Sequence, residues 1–201
     1  FESFDAATGA YRLRPASRPA TARHFLTHTS GLAYPFTSEV WRDFKPTAGE
    51  TFPFGGPLLF DPGERWHYST STDVVGRLVE AVSGEKLEDF FRINIFAPLK
   101  MDDTSYNVPE TKGHRLVAQH QRAGARMDGN IVLQDPQFGL TIASPIGGGG
   151  LASTVHDYGR FLRMWLNDGE LDGARILKKE TIALMGENHI GTIGVPALKS
   201  A

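Results

Sequence analysis

From Thr72 onward the apolar residues recur at a helical spacing. Val74, Val75, Leu78, Val79 and Val82 fall at i, i+1, i+4, i+5 and i+8, a stripe along one helix face. Gly84 ends this helix, because glycine readily takes the left-handed conformation that closes helices. A shorter helix follows, with Leu87, Phe90 and Phe91 apolar and Pro98 marking its end. Further along, Thr154 with Asp157 three residues later predicts a capping box. The helix it opens is expected to bury Val155, Tyr158, Phe161, Leu162, Trp165 and Leu166 and to stop at Gly169. A last helix is predicted from Lys179 to Met185. Near the start, Thr21 can cap a helix through "ARHFLTH", which ends in the turn "TSGL" with Gly31 as its stop. Strand signals are few; the clearest is Asp128-Gly129 in "RMDGNIVLQ", a turn between extended segments.

The segments between these elements differ in character. Residues 1–20 are mixed and rich in Arg, Pro and Ala, and read as a surface loop. Residues 33–63 are irregular and aromatic, with Tyr34, Phe36, Trp41, Phe44, Phe52, Phe54 and Phe60 among Pro and Gly, and Trp66 just beyond. A loop of that length needs a role, and packing over a site is the usual one. No internal repeat or low-complexity tract interrupts the pattern.

Composition then narrows the choices. The 201 residues are 40% hydrophobic and 22% charged, enough for a real core and unlike a disordered chain. A net charge of −2 with no basic stripe argues against nucleic acid as a partner. No apolar run approaches the roughly 18 residues that span a bilayer. The chain has no cysteine, which removes disulfides, thiolate zinc sites and cysteine nucleophiles together. A thiol-free chain is compatible with either the cytoplasm or the periplasm. The opening "FESFDAATG" has neither the basic nor the apolar region of a signal peptide.

Several stretches could carry chemistry. In "IASPIGGGGLAST", Gly147-x-Gly149-x-x-Ala152 formally fits a dinucleotide fingerprint. The only following strand candidate, "ARIL", leads into lysines where a ribose-binding carboxylate belongs, so a turn bringing backbone close to a pocket is the better account and no cofactor is expected. His24 and His28 lie four apart, a metal-ligand spacing, but no third ligand is placed and no metal is expected. There is no G-x-S-x-G elbow. The one S-x-x-K match, Ser83-Gly84-Glu85-Lys86, straddles a predicted helix end, where the two side chains splay apart. In "WHYSTSTDVVG" a lone tyrosine precedes a run of hydroxyls that either cap a helix or line a site. On residue type alone Tyr68 is a half-buried packing residue. A phenol has a pKa near 10 and needs a neighbouring positive charge to act as a base at neutral pH; along the chain Arg65 is the nearest cation.

Three separated blocks, in order, change that reading. "RHFLTHTSGL", "PGERWHYSTSTDVVGRLVEAVSGEKLEDFFRINIFAPLKMDDTSY" and "GGGGLASTVHDYGRFLRMWLNDGELDGARILKKETIALM" resemble segments of the serine β-lactamase and penicillin-binding-protein superfamily, from about Thr21 to about Met185. Y-S-x-x-x-D-V-x-G looks closest to family VIII carboxylesterases, which are built on the class C β-lactamase fold. The resemblance implies an α+β fold of the β-lactamase/transpeptidase type, this chain being mainly the helical subdomain with few strands. Residues 1–150 would be a helical and loop subdomain, and residues 151–201 helices joining the α/β part.

The resemblance also assigns roles. Tyr68 aligns with the family tyrosine, which works with a lysine to take the proton from a serine hydroxyl; the serine then attacks an ester or lactam carbonyl and an acyl-enzyme forms. Thr70 occupies the place where class C β-lactamases carry asparagine, a departure that favours esters over β-lactams. One hydroxyl of Ser69 to Thr72 would cap the helix while the cluster faces the pocket. Tyr34 and Phe36, in "LAYPF", would contact the acyl group, and Gly149 would lie on the substrate side. The S-x-x-K block is expected ahead of residue 1 and the third motif (K-T-G, or W-G-G and H-x-G) after residue 201. The rest of the same polypeptide would then complete the site, and this segment by itself would be inert. The alternatives are a β-lactamase or D,D-peptidase, or a catalytically inactive binding module of the same fold.

Overall fold

Among the described residues helices carry most of the regular structure, as the apolar spacing predicts, and every strand is two to four residues long. The structure, a computed structural model, describes residues 1–117, 119–122, 131–134 and 145–197. The backbone forms two compact units. The first comprises Phe1–Gly84, Ile146–Gly148 and Gly186–Ala201, and the second Glu85–Pro145 with Gly149–Met185. Among the described residues no helix is long and apolar enough to cross a membrane.

In the first unit, β1 (Ser3–Phe4) and β2 (Tyr11–Arg12) pair antiparallel. Residues 1–20 are therefore more than the surface loop their composition suggests. Phe1 and Tyr11 both meet the Phe44 ring edge-on, at 5.2 and 5.0 Å, and Phe52 meets it at 5.4 Å. Beside them, α2 (Glu39–Asp43) is capped by Ser38, whose hydroxyl accepts from the Trp41 amide, and the buried Trp41 donates its Nε1–H to the Pro57 carbonyl at 3.0 Å. Of the rings of the 33–63 segment, Trp41 joins a core with Leu32, Ala33 and Val74, Phe44 and Phe60 are also buried, and Phe36 and Phe54 are exposed.

The first helix is shorter than its sequence pattern. α1 (Ala22–Leu26) gives way at Thr27, whose hydroxyl donates back to the Arg23 carbonyl, and His28 enters the left-handed region at φ 54°. Gly31 does not stop the helix. It sits at φ 92°, and a Cβ there would lie 2.4 Å from the Phe60 carbonyl oxygen. Glycine is required by close backbone passage, which the Leu59 N–H to Gly31 carbonyl bond (2.8 Å) secures. α3 (Ser71–Ser83) ends at Gly84 with φ 74°, as its sequence predicts. The Ser83 hydroxyl folds back onto the Val79 carbonyl at 2.7 Å, so Ser83 closes a helix and opens none. Val74 is buried, but Leu78 and Val82 are exposed, so only the N-terminal half of the apolar stripe is covered.

In the second unit, α4 (Leu87–Phe91) runs on as a wider π-type turn over Arg92–Phe96 before Pro98. Phe96, Leu99, Met101, Met164 and Leu171 form its core. Strands β3 (Gln119–Arg122) and β4 (Ile131–Gln134) pair antiparallel, Gln119 opposite Gln134; the Asp128-Gly129 turn lies outside the described residues. Two strands, β5 (Glu170–Leu171) and β6 (Ala174–Arg175), form a tight hairpin, and α6 runs over Lys179–Met185 as predicted.

α5 (Val155–Leu166) departs from expectation in two ways. Thr154 does cap it, its hydroxyl accepting from the Asp157 amide at 3.2 Å. The Asp157 carboxylate, however, completes no box; it accepts from the Asp103 amide at 2.8 Å and the Thr104 hydroxyl at 3.0 Å. That bond turns the Asp157–Met164 side of the helix inward, both residues being buried. Of the residues expected to be buried, Phe161 packs partly on the core, whereas Val155 (93%), Leu166 (82%) and Tyr158 (56%) are exposed, with Leu162 and Trp165 less so.

Truncating the two sides of α5 should therefore give opposite results. Met164→Ala is expected to lower unfolding free energy by about 2–5 kcal/mol in urea denaturation, and Val155→Ala to change it by no more than about 0.5 kcal/mol. Equal losses would mean the helix is seated the other way round.

Candidate active site

Tyr68 sits on the extended stretch that leads into α3, half-buried rather than enclosed. Its surroundings are aromatic. The Tyr34 ring lies 5.4 Å away, His28 4.9 Å and Phe36 6.5 Å, and Tyr34 and Phe36 stack on each other at 4.8 Å and 17°. Phe36 is 53% exposed, so this frame opens to solvent on one side. Among the described residues the Tyr68 hydroxyl makes no hydrogen bond, and no Lys or Arg pairs with it. Arg65, the nearest cation in sequence, is stacked over the Phe60 ring at 4.5 Å.

Local hydrogen bonds fix these rings. The Thr37 hydroxyl lies within bonding distance of the Tyr34 and Tyr68 carbonyls (3.0 and 3.1 Å), donating to one at a time, and accepts from the Tyr34 amide at 3.0 Å. Thr37 thereby ties the turn that carries Tyr34 to the backbone that carries Tyr68. His28 wedges against Tyr68 from the other side, with Trp66 behind it at 6.1 Å. Burial lowers the pKa of His28 and, together with the charge of Arg65, that of His67, so both imidazoles are neutral near pH 7.

The hydroxyl run behaves differently from its predicted double role. Ser69 and Ser71 are buried and face inward, bonded to each other at 2.7 Å, and Ser71 bonds on to the buried Ser30 at 2.7 Å. The chain ends at His28, whose Nδ1 lies 3.4 Å from Ser69 Oγ. No side chain caps α3: Thr70 stands at the cap position with Oγ1 buried and without a hydrogen-bond partner. The serines took the core route because the TSGL turn presents Ser30 to them.

His24 and His28 do not share a helix face as metal ligands would. His24 Nδ1 accepts from the Thr21 amide at 3.1 Å, closing the first turn of α1. Among the described residues no three His, Cys, Asp or Glu side chains cluster as a metal site does.

The glycine run reaches the first turn of α3 through Gly147 and Gly148. A Cβ at Gly147 would lie 2.1 Å from the Thr72 carbonyl oxygen, so the backbone there rides directly on the first turn of α3. Next to it, the Gly148 amide donates to Asp73 Oδ1 at 2.8 Å. Gly149 belongs to the second unit, with open space where a side chain would stand. Asp73, Thr37, His28 and Gly148 were all missed as site residues. Asp73 alone carried a signal, as the acidic position of Y-S-x-x-x-D-V-x-G.

Electrostatics single out Tyr34: its pKa is pushed up to about 12, first by burial and then by the charges of Asp73 and Tyr68, so it stays a neutral phenol at any physiological pH.

The beta-lactamase family profile matches residues 6–196, and the chain belongs to that family. Its fold is β-lactamase-like, a mostly helical region with a few short strands. Protein Rv1367c of Mycobacterium tuberculosis is 33% identical over 204 residues, covering 92% of this chain and 48% of that protein. Lovastatin esterase of Penicillium rubens is 32% identical over 191 residues, covering 88% of this chain and 46% of that protein. Unliganded simvastatin synthase (LovD) from Aspergillus terreus superposes with a TM-score of 0.77 at 32% identity, covering 90% of this chain and 46% of that one. The chain spans about half the length of the relatives it matches. Relatives sharing this family and fold include lovastatin esterase and simvastatin synthase.

Because Tyr34 keeps its proton more tightly folded than unfolded, stability should be full below pH 10 and decline as the pH rises from 10 toward about 12. Denaturation across that range checks it: Tyr34→Phe is expected to remove this share of the alkaline loss.

Proposed function

We propose that this chain supplies the tyrosine base of a serine hydrolase that cleaves carboxylic esters through an acyl-enzyme. Residues 1–201 are the central segment of one catalytic domain, with 1–150 the helical and loop subdomain and 151–201 the helices leading into the α/β part. The remaining polypeptide supplies the serine, the lysine and an oxyanion donor. The observation that carries this reading is the unengaged Tyr68 hydroxyl in an open frame of Tyr34, Phe36 and His28. A tyrosine serving only as packing would be expected to bury its ring and satisfy its hydroxyl.

Tyr68, its phenolate stabilised by the lysine ammonium, takes the proton of the serine hydroxyl as the serine attacks the ester carbonyl. The alcohol leaves with a proton returned through the same pair, and the acyl group stays on the serine. Backbone N–H groups hold the oxyanion. The stacked Tyr34 and Phe36 form an apolar wall for the acyl chain. Thr70, standing where class C β-lactamases carry asparagine, offers a shorter side chain without an amide and suits esters better than β-lactams.

The relatives' names support ester chemistry and favour a second outcome of the same intermediate. If an alcohol instead of water attacks the acyl-enzyme, the product is a new ester, which is acyl transfer, and simvastatin synthase is among the most similar folds. Adding an alcohol acceptor to the assay and measuring ester exchange against hydrolysis separates the two.

With the complete polypeptide, short-chain p-nitrophenyl esters are expected to turn over faster than nitrocefin. Tyr68→Phe should lower kcat at least ~10²-fold; undiminished activity in that variant would falsify the mechanism. Failure of a fluorophosphonate probe to label the intact protein would favour an inactive binding module.

A further inference from the structure

His28 touches three consecutive residues of the tyrosine segment, each with a different part of itself. Its carbonyl accepts from the His67 amide at 2.8 Å, its ring lies 4.9 Å from that of Tyr68, and its Nδ1 stands 3.4 Å from Ser69 Oγ. Its backbone sits at φ 54°, a region that residues other than glycine seldom enter unless their surroundings hold them there.

The buried serines decide which form the imidazole takes. Ser30, Ser69 and Ser71 are at most 1% exposed, so their hydroxyl protons must find acceptors within the protein. Among the described residues the Ser30 hydroxyl has one acceptor in reach, Ser71 Oγ at 2.7 Å, because its other contact is the Leu32 amide, which donates to it. Ser30 therefore donates to Ser71. Ser71, having accepted there, can place its own proton only on Ser69 Oγ at 2.7 Å. Ser69 accepts that proton and the Ser71 amide, which leaves its hydroxyl a single acceptor, the lone pair of His28 Nδ1. In the reverse order the Ser30 proton would be buried without an acceptor. A neutral imidazole that accepts at Nδ1 carries its proton on Nε2. That nitrogen, across the ring from the buried serine, has no hydrogen-bond partner among the described residues and is not a buried atom.

We propose that His28 is the positioning residue of Tyr68: the serine relay locks its imidazole as the neutral Nε2–H tautomer, and the locked ring sets the direction of the phenol. The tautomer follows from the relay alone, whereas its part in turnover rests on the ester-hydrolase reading. Burial of the ring, which disfavours the imidazolium, acts in the same direction as the relay.

Two measurements on the complete polypeptide test the parts separately. In the first, histidine is labelled with nitrogen-15, and the His28 ring is identified by its contacts to the Tyr68 ring protons and by its loss in His28→Asn. Long-range proton–nitrogen correlation near pH 7 should show Nε2 protonated and Nδ1 bare. Ser69→Ala should release the ring to a mixture of tautomers. Ser30→Ala should leave it as Nε2–H, because the Ser71 proton still has only Ser69 to go to. A proton on Nδ1 in the unsubstituted protein, or a tautomer that Ser69→Ala does not move, overturns the relay. In the second, hydrolysis of p-nitrophenyl butyrate is measured. Asparagine at this position keeps an acceptor toward Ser69 and tolerates the left-handed backbone, so His28→Asn removes the ring beside Tyr68 and little else. It should lower kcat by roughly tenfold or more while changing KM by less than about twofold. Added to Tyr68→Phe, the same substitution should cost little further, because the group it positions is already gone. An unchanged kcat, a loss carried by KM, or full additivity with Tyr68→Phe overturns the positioning role. If the unsubstituted protein hydrolyses no ester while His28 carries its proton on Nε2, the hydrolase reading falls and takes the positioning role with it, and the relay stands.

Discussion

Three buried serine hydroxyls hold the candidate site together. Ser30, from the turn after α1, bonds Ser71 at the start of α3, and Ser71 bonds Ser69. All three are essentially without solvent exposure, so each bond forms where water cannot compete and each unmade bond would leave a polar atom stranded. This short chain sets the distance between two segments far apart in sequence. Tyr68, one residue before Ser69, and His28, two residues before Ser30, are brought face to face as a result. The Leu59 amide on Gly31 and the Gly63 amide on Thr29 extend the same lacing on the other flank.

Much of this fold could be read from the chain, and what could not has identifiable causes. The span of α3 was legible because apolar spacing and a terminal glycine agree. Its cap was not, because Ser69 and Ser71 found partners 41 residues away, and no local rule weighs a distant hydroxyl. The face of α5 was misread for a related reason. Periodicity shows which side of a helix is apolar, whereas Asp157, bonded to the backbone at Asp103, decides which side turns inward. Gly31 was identified as a special position but for the wrong purpose, since the approach of the Phe60 carbonyl depends on tertiary packing.

The site itself was less legible than the fold. Tyr68 stood out only by resemblance to a family motif; its residue type and spacing favoured ordinary packing. Thr37 gave no chemical signal and Asp73 only its acidic place in Y-S-x-x-x-D-V-x-G, because both act through hydrogen bonds to backbone groups. The glycine run was visible, yet its formal match to a phosphate-binding pattern obscured its use. Gly147 and Gly148 let one backbone lie against the first turn of a helix, and the exposed amide finds a carboxylate there. Beside that carboxylate, burial and charge hold Tyr34 in its neutral form.

His28 illustrates what such an arrangement asks of a sequence. Its backbone lies at φ 54°, a left-handed conformation that glycine adopts with least strain, while its ring packs between Trp66 and Tyr68. Glycine at this position would therefore relieve the backbone and at the same time empty the space beside the Tyr68 ring.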